Sequence, residues 1–312
     1  MHVFSRLTIL LVGSVLALLS AGCASHGVDN ATSERSLQRA VTALTAAGDA
    51  DSLAAAAGFT QEPAQRLALF ERAAALAPHR ADLLWLKIMA CTRADGCDPT
   101  AFAAALHALD PGNGAAWLAL IDRASKLNQG EAVQRYLAAM GEAQRFDLYW
   151  NTSIAHLSNA LIKIHVYDAR QALLNVIGAE SVASIPIFQN LSKACQRDAL
   201  QDPDRLAACR GIAHALRSGD TYIAELIGTS MAKRVWPEGS AEYTEAASAR
   251  RQAQYRLRAV GLLEPAALKH KRDALAYLSL IERHRSEQEL GAAVLARAGV
   301  SSVPPPDWKE TT

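Results

Sequence analysis

The chain has 312 residues, with 32 lysine and arginine residues against 31 aspartate and glutamate residues; half of its residues are hydrophobic but only 6% are aromatic. This length allows one or two globular domains, and the balanced charge argues against nucleic-acid binding as a main function. Much of the apolar share is alanine, as in Ala54–Ala57 and Ala73–Ala75, the residue with the highest helix propensity. Strand-like alternation does not recur, so we expect an all-α fold.

The first residues form an apolar leader. Met1–Arg6 carries one firm positive charge, and Leu7–Leu19 is apolar throughout. This run of 13 residues suits the hydrophobic region of a signal peptide, whereas a membrane-spanning helix needs about 20. Small residues and a cysteine follow it, in the stretch Ser20–Cys23.

The stretch that ends at Cys23 resembles the lipobox of bacterial lipoproteins. Ala21 and Gly22 fit the small-residue positions before the cysteine, and Ser20 stands where the family prefers leucine. The resemblance implies cleavage before Cys23, diacylation of its sulfur and acylation of its new amino group, an anchor that holds a protein stably. Because Ala24 follows rather than aspartate, it also implies the periplasmic face of the outer membrane. The residues alone leave two alternatives: release by an ordinary signal peptidase, and an uncleaved anchor helix.

The cysteine count agrees with this assignment. There are five cysteines, Cys23, Cys91, Cys97, Cys195 and Cys209, and an odd number in an exported protein leaves one thiol without a disulfide partner. The last four form two local pairs, and an Asp-Pro helix start, Asp98-Pro99 or Asp202-Pro203, lies near each pair. We therefore predict Cys91–Cys97 and Cys195–Cys209 disulfides. Neither spacing fits a zinc site, and no Cys-x-x-Cys redox motif is present.

One region repeats with a helical period. Leu76 and Leu109 are 33 residues apart, as are Pro78 and Pro111. Three tryptophans, Trp85, Trp117 and Trp150, follow at spacings of 32 and 33 residues. This pattern resembles degenerate tetratricopeptide repeats, which implies helix–turn–helix units stacked as a solenoid. The family's usual Gly-Tyr pair is missing, and an antiparallel bundle with helices of uniform length would give a similar period.

The expected organisation has five parts in chain order. They are a lipoprotein signal peptide over 1–22, a polar tether over 23–35, tetratricopeptide-like repeats over 36–150, a C-terminal helical domain over 151–299, and a Pro-rich extended tail over 300–312. Within the C-terminal part the periodicity predicts long helices over 147–176, 181–199, 240–260 and 264–284.

No motif for catalysis or cofactor binding occurs in a convincing context. His156 and His165 are two and a half helical turns apart and face different ways. The basic run Lys269–Arg272 could attract acidic lipid head groups or form a solvated helix face, and Ala249–Arg258 spreads four arginines around a helix. We therefore expect no enzymatic activity, no cofactor and no metal site.

The sequence favours an interaction protein. Solenoid repeats expose an extended concave surface that suits protein or peptide partners, and the tetratricopeptide resemblance implies a scaffold that binds a periplasmic protein. Two alternatives stay open: an inhibitor or immunity-type lipoprotein that blocks a secreted enzyme, and an envelope enzyme without a recognisable motif. The expected partners are a periplasmic protein and, through the lipid anchor only, the membrane.

Overall fold

The computed structural model describes residues 30–184 and 187–309, so the leader, the lipobox and Cys23 lie outside the described residues. Within those ranges the fold is all-α, as expected, with fifteen α-helices, one 3₁₀ helix over Arg197–Gln201 and no strand. The helices are α1 (Asn30–Ala47), α2 (Ala50–Phe59), α3 (Pro63–Leu76), α4 (Ala81–Cys91), α5 (Thr100–Leu109), α6 (Ala115–Lys126), α7 (Gly130–Gly141), α8 (Trp150–Lys163), α9 (Ala169–Ser184), α10 (Phe188–Ala194), α11 (Pro203–Arg217), α12 (Tyr222–Val235), α13 (Ala241–Ala267), α14 (Lys271–Ile281) and α15 (Glu287–Arg297).

Local signals explain where several helices begin. The Asp49 side chain accepts a hydrogen bond from Ser52 N at the start of α2, and Asp202 does the same for two amides of α11, with Pro203 at the first helical position. Thr221 and Ser286 cap α12 and α15 in the same way. These caps satisfy amides that have no partner inside the helix.

Helices α2 to α7 pack in chain order, each against the next, and α4 also contacts α6. This order ends at α7. Helix α8 packs mainly against α2 and α9, with further contacts to α14 and α4, while α10 lies on α6. The place next to α7 is taken by α11, which is followed by α12, α13 and α15.

Two hydrophobic cores hold these helices together. The first is built from α4–α7 and α10–α12, with Ala246 of α13. The second joins the end of α1 and α2–α4 to α8, α9, α14 and α15. Both cores therefore combine helices from each side of residue 150. By their contacts, the residues up to Arg39 form a unit of their own, separate from residues 40 onward.

The two predicted disulfides are confirmed. Cys91, the last residue of α4, is bonded to Cys97 in the turn before α5, with a Cα–Cα distance of 5.3 Å. Cys195, directly after α10, is bonded to Cys209 of α11, with a Cα–Cα distance of 5.9 Å. Each bond closes one helix–turn–helix unit.

Several predicted helix boundaries are wrong. The single helix expected over 147–176 is two helices, because His165 takes a left-handed conformation (φ 57°) between Lys163 and Ala169. The helix expected over 181–199 is shared between the end of α9, α10 and the 3₁₀ helix, and α13 continues beyond the expected end at 260. Residues 30–35 of the expected tether already belong to α1.

The described part of the C-terminal tail lies along α13. Arg251 donates to the carbonyl oxygens of Pro305 and Trp308, both at 2.8 Å. The Trp308 ring meets Tyr255 edge-on, with 5.6 Å between the ring centroids. Polar and aromatic contacts therefore fasten this segment to the helical body.

Candidate binding cleft

A polar cleft of about 440 Å³ opens where three turns meet. The turns are those before α8, between α11 and α12, and between α14 and α15, and α12, α13 and α15 complete the walls. Its charged lining consists of four arginines and four acidic residues: Arg145, Arg217, Arg256, Arg285, Asp147, Asp220, Glu225 and Glu289. The volume falls in the range of small-ligand sites.

A buried asparagine positions the segment that carries Arg145 and Asp147. Asn113 has no exposed surface; its amide nitrogen donates to Asp147 O at 2.8 Å, and its Oδ1 accepts from Asp147 N at 2.9 Å. Backbone bonds between Gly112 and Arg145 bring the same two turns together. The α5–α6 turn is therefore fixed to the turn before α8.

Asp147 is held between two guanidinium groups. Arg145 donates to its Oδ2 at 3.0 Å and Arg285 at 2.8 Å. Arg145 also pairs with Asp110, which accepts a hydrogen bond from the Tyr149 hydroxyl. This chain of contacts links the α5–α6 turn to the α14–α15 turn across one side of the cleft.

Asp220 joins the turns on the other side. Its two carboxylate oxygens accept from Leu148 N at 2.8 Å and Trp150 N at 2.9 Å, and its carbonyl accepts from Glu287 N at 2.8 Å. Burial, and next the neighbouring Asp147 carboxyl, raise the pKa of Asp220 well above its usual range, against the two amide donors that lower it. The pair forms a buried acidic centre in the cleft wall.

The remaining wall has polar atoms without protein partners. Arg256 pairs with Glu225 at 2.9 Å, and the Gln288 amide donates to the same carboxylate at 3.2 Å. Burial raises the pKa of Glu225, while Arg256 opposes that rise. The Nε–H groups of Arg217 and Arg256 and the Oε1 of Gln288 are buried and make no hydrogen bond. Each of these atoms has almost no accessible surface, so they are unsatisfied inside the wall and do not face the cleft.

These features suit recognition of a carboxylate. A guanidinium group has five N–H donors and can bind more than one acceptor. Arg285 uses its Nε and Nη2 on Asp147, at 3.3 and 2.8 Å, while 64% of its side chain is exposed. Over the described ranges, no group of three or more His, Cys, Asp and Glu side chains could hold a metal ion.

None of the residues singled out in the sequence, apart from Arg256, lines the cleft. Cys23 lies outside the described residues. Leu76 and Leu109 end α3 and α5 and are exposed, and Pro78 and Pro111 occupy the turns that follow. Of the repeated tryptophans, Trp85 of α4 is buried, Trp117 of α6 contacts His107 and Tyr136, and Trp150 begins α8.

The histidines and the arginine-rich helix play separate parts. His156 Nδ1 lies 3.3 Å from Asp51 Oδ2 of α2. His165 lies in the turn between α8 and α9. Arg251 and Arg256 point in different directions, one to the tail and one to the cleft. No stretch of neighbouring residues in the sequence predicts the cleft, because its lining comes from separate segments of the chain. The local feature next to it is Thr221, which follows Asp220 and caps α12.

Comparisons with protein-family models, curated proteins and solved structures give no match to this chain. In the part of the chain that is described, no helix combines the length and the apolar character needed to cross a bilayer.

Proposed function

We propose that this protein is a periplasmic lipoprotein, anchored to the outer membrane through Cys23, that binds a protein partner as a helical-repeat scaffold. The observation that carries the binding proposal is the arginine-lined cleft. Arginine is enriched among the residues that dominate protein interfaces. A carboxylate-bearing segment of the partner would pair first with Arg285, the most exposed of the four cleft arginines.

The helical array supports a scaffold whose partner binds at the turns. The pairs α3–α4 and α5–α6 carry the Leu76/Leu109 and Trp85/Trp117 repeats, which favours a tetratricopeptide-like origin. In such solenoids partners usually bind a concave face. Here the chain's own α8 lies on α2 and α4, and α10 lies on α6. The cleft is therefore the better candidate for the partner.

Site-specific photo-crosslinking in intact cells tests this proposal. A crosslinking residue at Ser286, in the cleft, is compared with the same residue at Glu131, on the exposed start of α7. We expect one adduct from Ser286 and none from Glu131. Arg217→Ala with Arg285→Ala should abolish that adduct, since both guanidinium groups line the cleft. Identical adducts from both positions, or an adduct that survives the double substitution, would contradict binding at the cleft.

The same experiment separates the scaffold from the inhibitor. Recovery of a single secreted hydrolase at Ser286 would favour an immunity-type lipoprotein. Recovery of an envelope-assembly protein would favour the scaffold.

The Asp147–Asp220 pair favours a second candidate, an envelope enzyme. Two buried carboxyl groups beside each other can serve general acid–base chemistry. Asp220, however, already accepts two backbone amides, so its first effect is on structure. If the pair is catalytic, purified protein should degrade peptidoglycan and Asp220→Asn should abolish turnover while retaining the fold. Loss of stability without any turnover in the parent protein would exclude this candidate.

A further inference from the structure

Three exposed leucines lie on the helices around the α13–α14 turn. Leu262 of α13 is 75% exposed, Leu275 of α14 is 44% exposed and Leu174 of α9 is 39% exposed. Large apolar side chains exposed on neighbouring helices are typical of interaction surfaces. None of these leucines belongs to the cleft.

A basic cluster occupies the turn between the leucines. Lys269, His270, Lys271 and Arg272 are all exposed, and the Arg272 side chain is 96% accessible. Asp273 follows them in the sequence, and its Oδ1 lies 4.0 Å from Arg272 Nε. Because one carboxylate faces two lysines and an arginine, the cluster has a net positive charge.

Contacts place the start of α9 beside this turn. Arg170 Nε donates to the Leu268 carbonyl at 2.7 Å, and α9 packs against α14. Leu174 follows Arg170 by one helical turn, and Leu275 follows Lys271 by one turn, so each leucine shares the exposed face of its helix with a basic residue. Exposed basic and apolar side chains therefore occur together on the helices that meet at this turn.

We propose that this surface rests on an anionic phospholipid bilayer. Leucines enter the boundary between head groups and acyl chains, while lysine and arginine side chains contact phosphate groups. The setting for this contact rests on the proposed lipid anchor, which would hold the body near the membrane. A second copy of the chain fits less well, because a two-fold contact would bring like charges together.

Vesicle sedimentation tests the surface without the anchor. The probe protein is the mature chain from Ala24 with no lipid attached, mixed with vesicles of phosphatidylcholine alone or of phosphatidylcholine and phosphatidylglycerol in equal parts. We expect binding only to the anionic vesicles, with loss at high salt. Each basic residue near an anionic surface contributes about 1 kcal/mol, so Lys271→Glu with Arg272→Glu should weaken binding by about 30-fold or more. Leu262→Ser with Leu275→Ser should weaken it through lost insertion.

A matched control has the same change in net charge elsewhere. Lys126→Glu with Arg135→Glu alters exposed positions of α6 and α7 and should leave vesicle binding unchanged. The proposal is overturned by equal binding to both vesicle types, by equal weakening in the control, by weakening that accompanies a lost helical circular dichroism spectrum, or by no binding at all. Because this protein carries no lipid, such a result would leave anchoring through Cys23 and binding at the cleft untouched.

Discussion

Both polar atoms of the Asn113 side chain make hydrogen bonds within the protein, although the residue lies in a turn. Its amide nitrogen also donates to the Tyr149 hydroxyl at 2.9 Å, and its Oδ1 also accepts from Ala115 N at 3.0 Å. Two partners are backbone groups of the same buried residue, Asp147. The side chain therefore replaces the backbone pairing that a regular element would provide.

Asn113→Ala should destabilise the protein by about 2–4 kcal/mol, since it leaves buried amide and carbonyl groups unpaired. Urea unfolding followed by circular dichroism measures the change. The control is Asn159→Ala, which removes one exposed hydrogen bond to Glu282 and should cost less than about 1 kcal/mol. Equal losses in the two variants would contradict the proposed role of Asn113.

Glu287 should make stability depend on pH. Burial raises its pKa to about 7, against the amide of Tyr222, which lowers it. The folded protein therefore holds this proton more tightly than the unfolded chain does, and the free energy of unfolding falls as pH rises from about 4.5 to about 7.

Glu287→Gln should remove that part of the pH dependence, on the order of 3 kcal/mol across the window. Unfolding in urea at a series of pH values measures it, and Glu131→Gln, on the exposed start of α7, is the control. Glu180, whose pKa burial also raises to about 7, supplies a remaining slope of the same sign. If the free energy of unfolding of Glu287→Gln changed with pH as steeply as that of the parent protein, Glu287 would not be a source of the pH dependence.

At the scale of elements, α7 and α11 approach closely because both have glycine at their crossing. A Cβ on Gly211 would lie 2.0 Å from the Gly141 carbonyl oxygen, and a Cβ on Gly141 would lie 2.9 Å from Ala208 O. No side chain fits at these distances. This crossing connects the sequential array to the helices beyond α10.

Gly211→Ala should therefore cost about 2–4 kcal/mol, because the two helices must separate. The same substitution at Gly261, in α13, meets no atom within 4 Å and should stabilise the protein by up to about 1 kcal/mol. Thermal and urea unfolding distinguish the two signs. A neutral Gly211→Ala variant would show that the crossing tolerates a wider spacing.

The disulfides stabilise individual helix–turn–helix units. The Cys195–Cys209 bond closes the longer loop, with a sequence separation of 14. Changing both cysteines to alanine should lower the free energy of unfolding by about 3 kcal/mol. The Cys91–Cys97 bond closes the shorter loop, with a sequence separation of 6. Changing both of these cysteines to alanine should lower the free energy of unfolding by about 2 kcal/mol. Unfolding under oxidising conditions compares them. A larger loss from the shorter loop would contradict the loop-entropy explanation.

At the scale of the whole molecule, the proposed lipid anchor at Cys23 has a direct test. Cys23→Ser should yield unlipidated precursor with no incorporated palmitate label, because the acylated sulfur is removed. The control is Cys91→Ala with Cys97→Ala, which should retain the label. Label retained by Cys23→Ser would refute the anchor.

Local sequence patterns predicted most of the helices and both disulfide bonds. Alanine-rich periodicity, Asp-Pro starts and closely spaced cysteines depend on contacts within a few turns of chain, so they can be read from neighbouring residues. The same reasoning joined α8 to α9, because no side chain in that region marked the left-handed conformation of His165. Trp150, the third tryptophan of the repeat pattern, begins α8, which packs mainly against α2 and α9.

The sequence by itself determined the all-α class and the disulfide pairing, and it carries the lipobox resemblance of Cys23. Tertiary structure alone decided that α8 returns to α2, that α11 takes the place beside α7, and that Asp147 and Asp220 meet in one cleft. The reason is physical. Helix caps and short disulfide loops are local, whereas the partner of a helix depends on complementary faces, such as the Gly141–Gly211 crossing, between segments far apart in the chain.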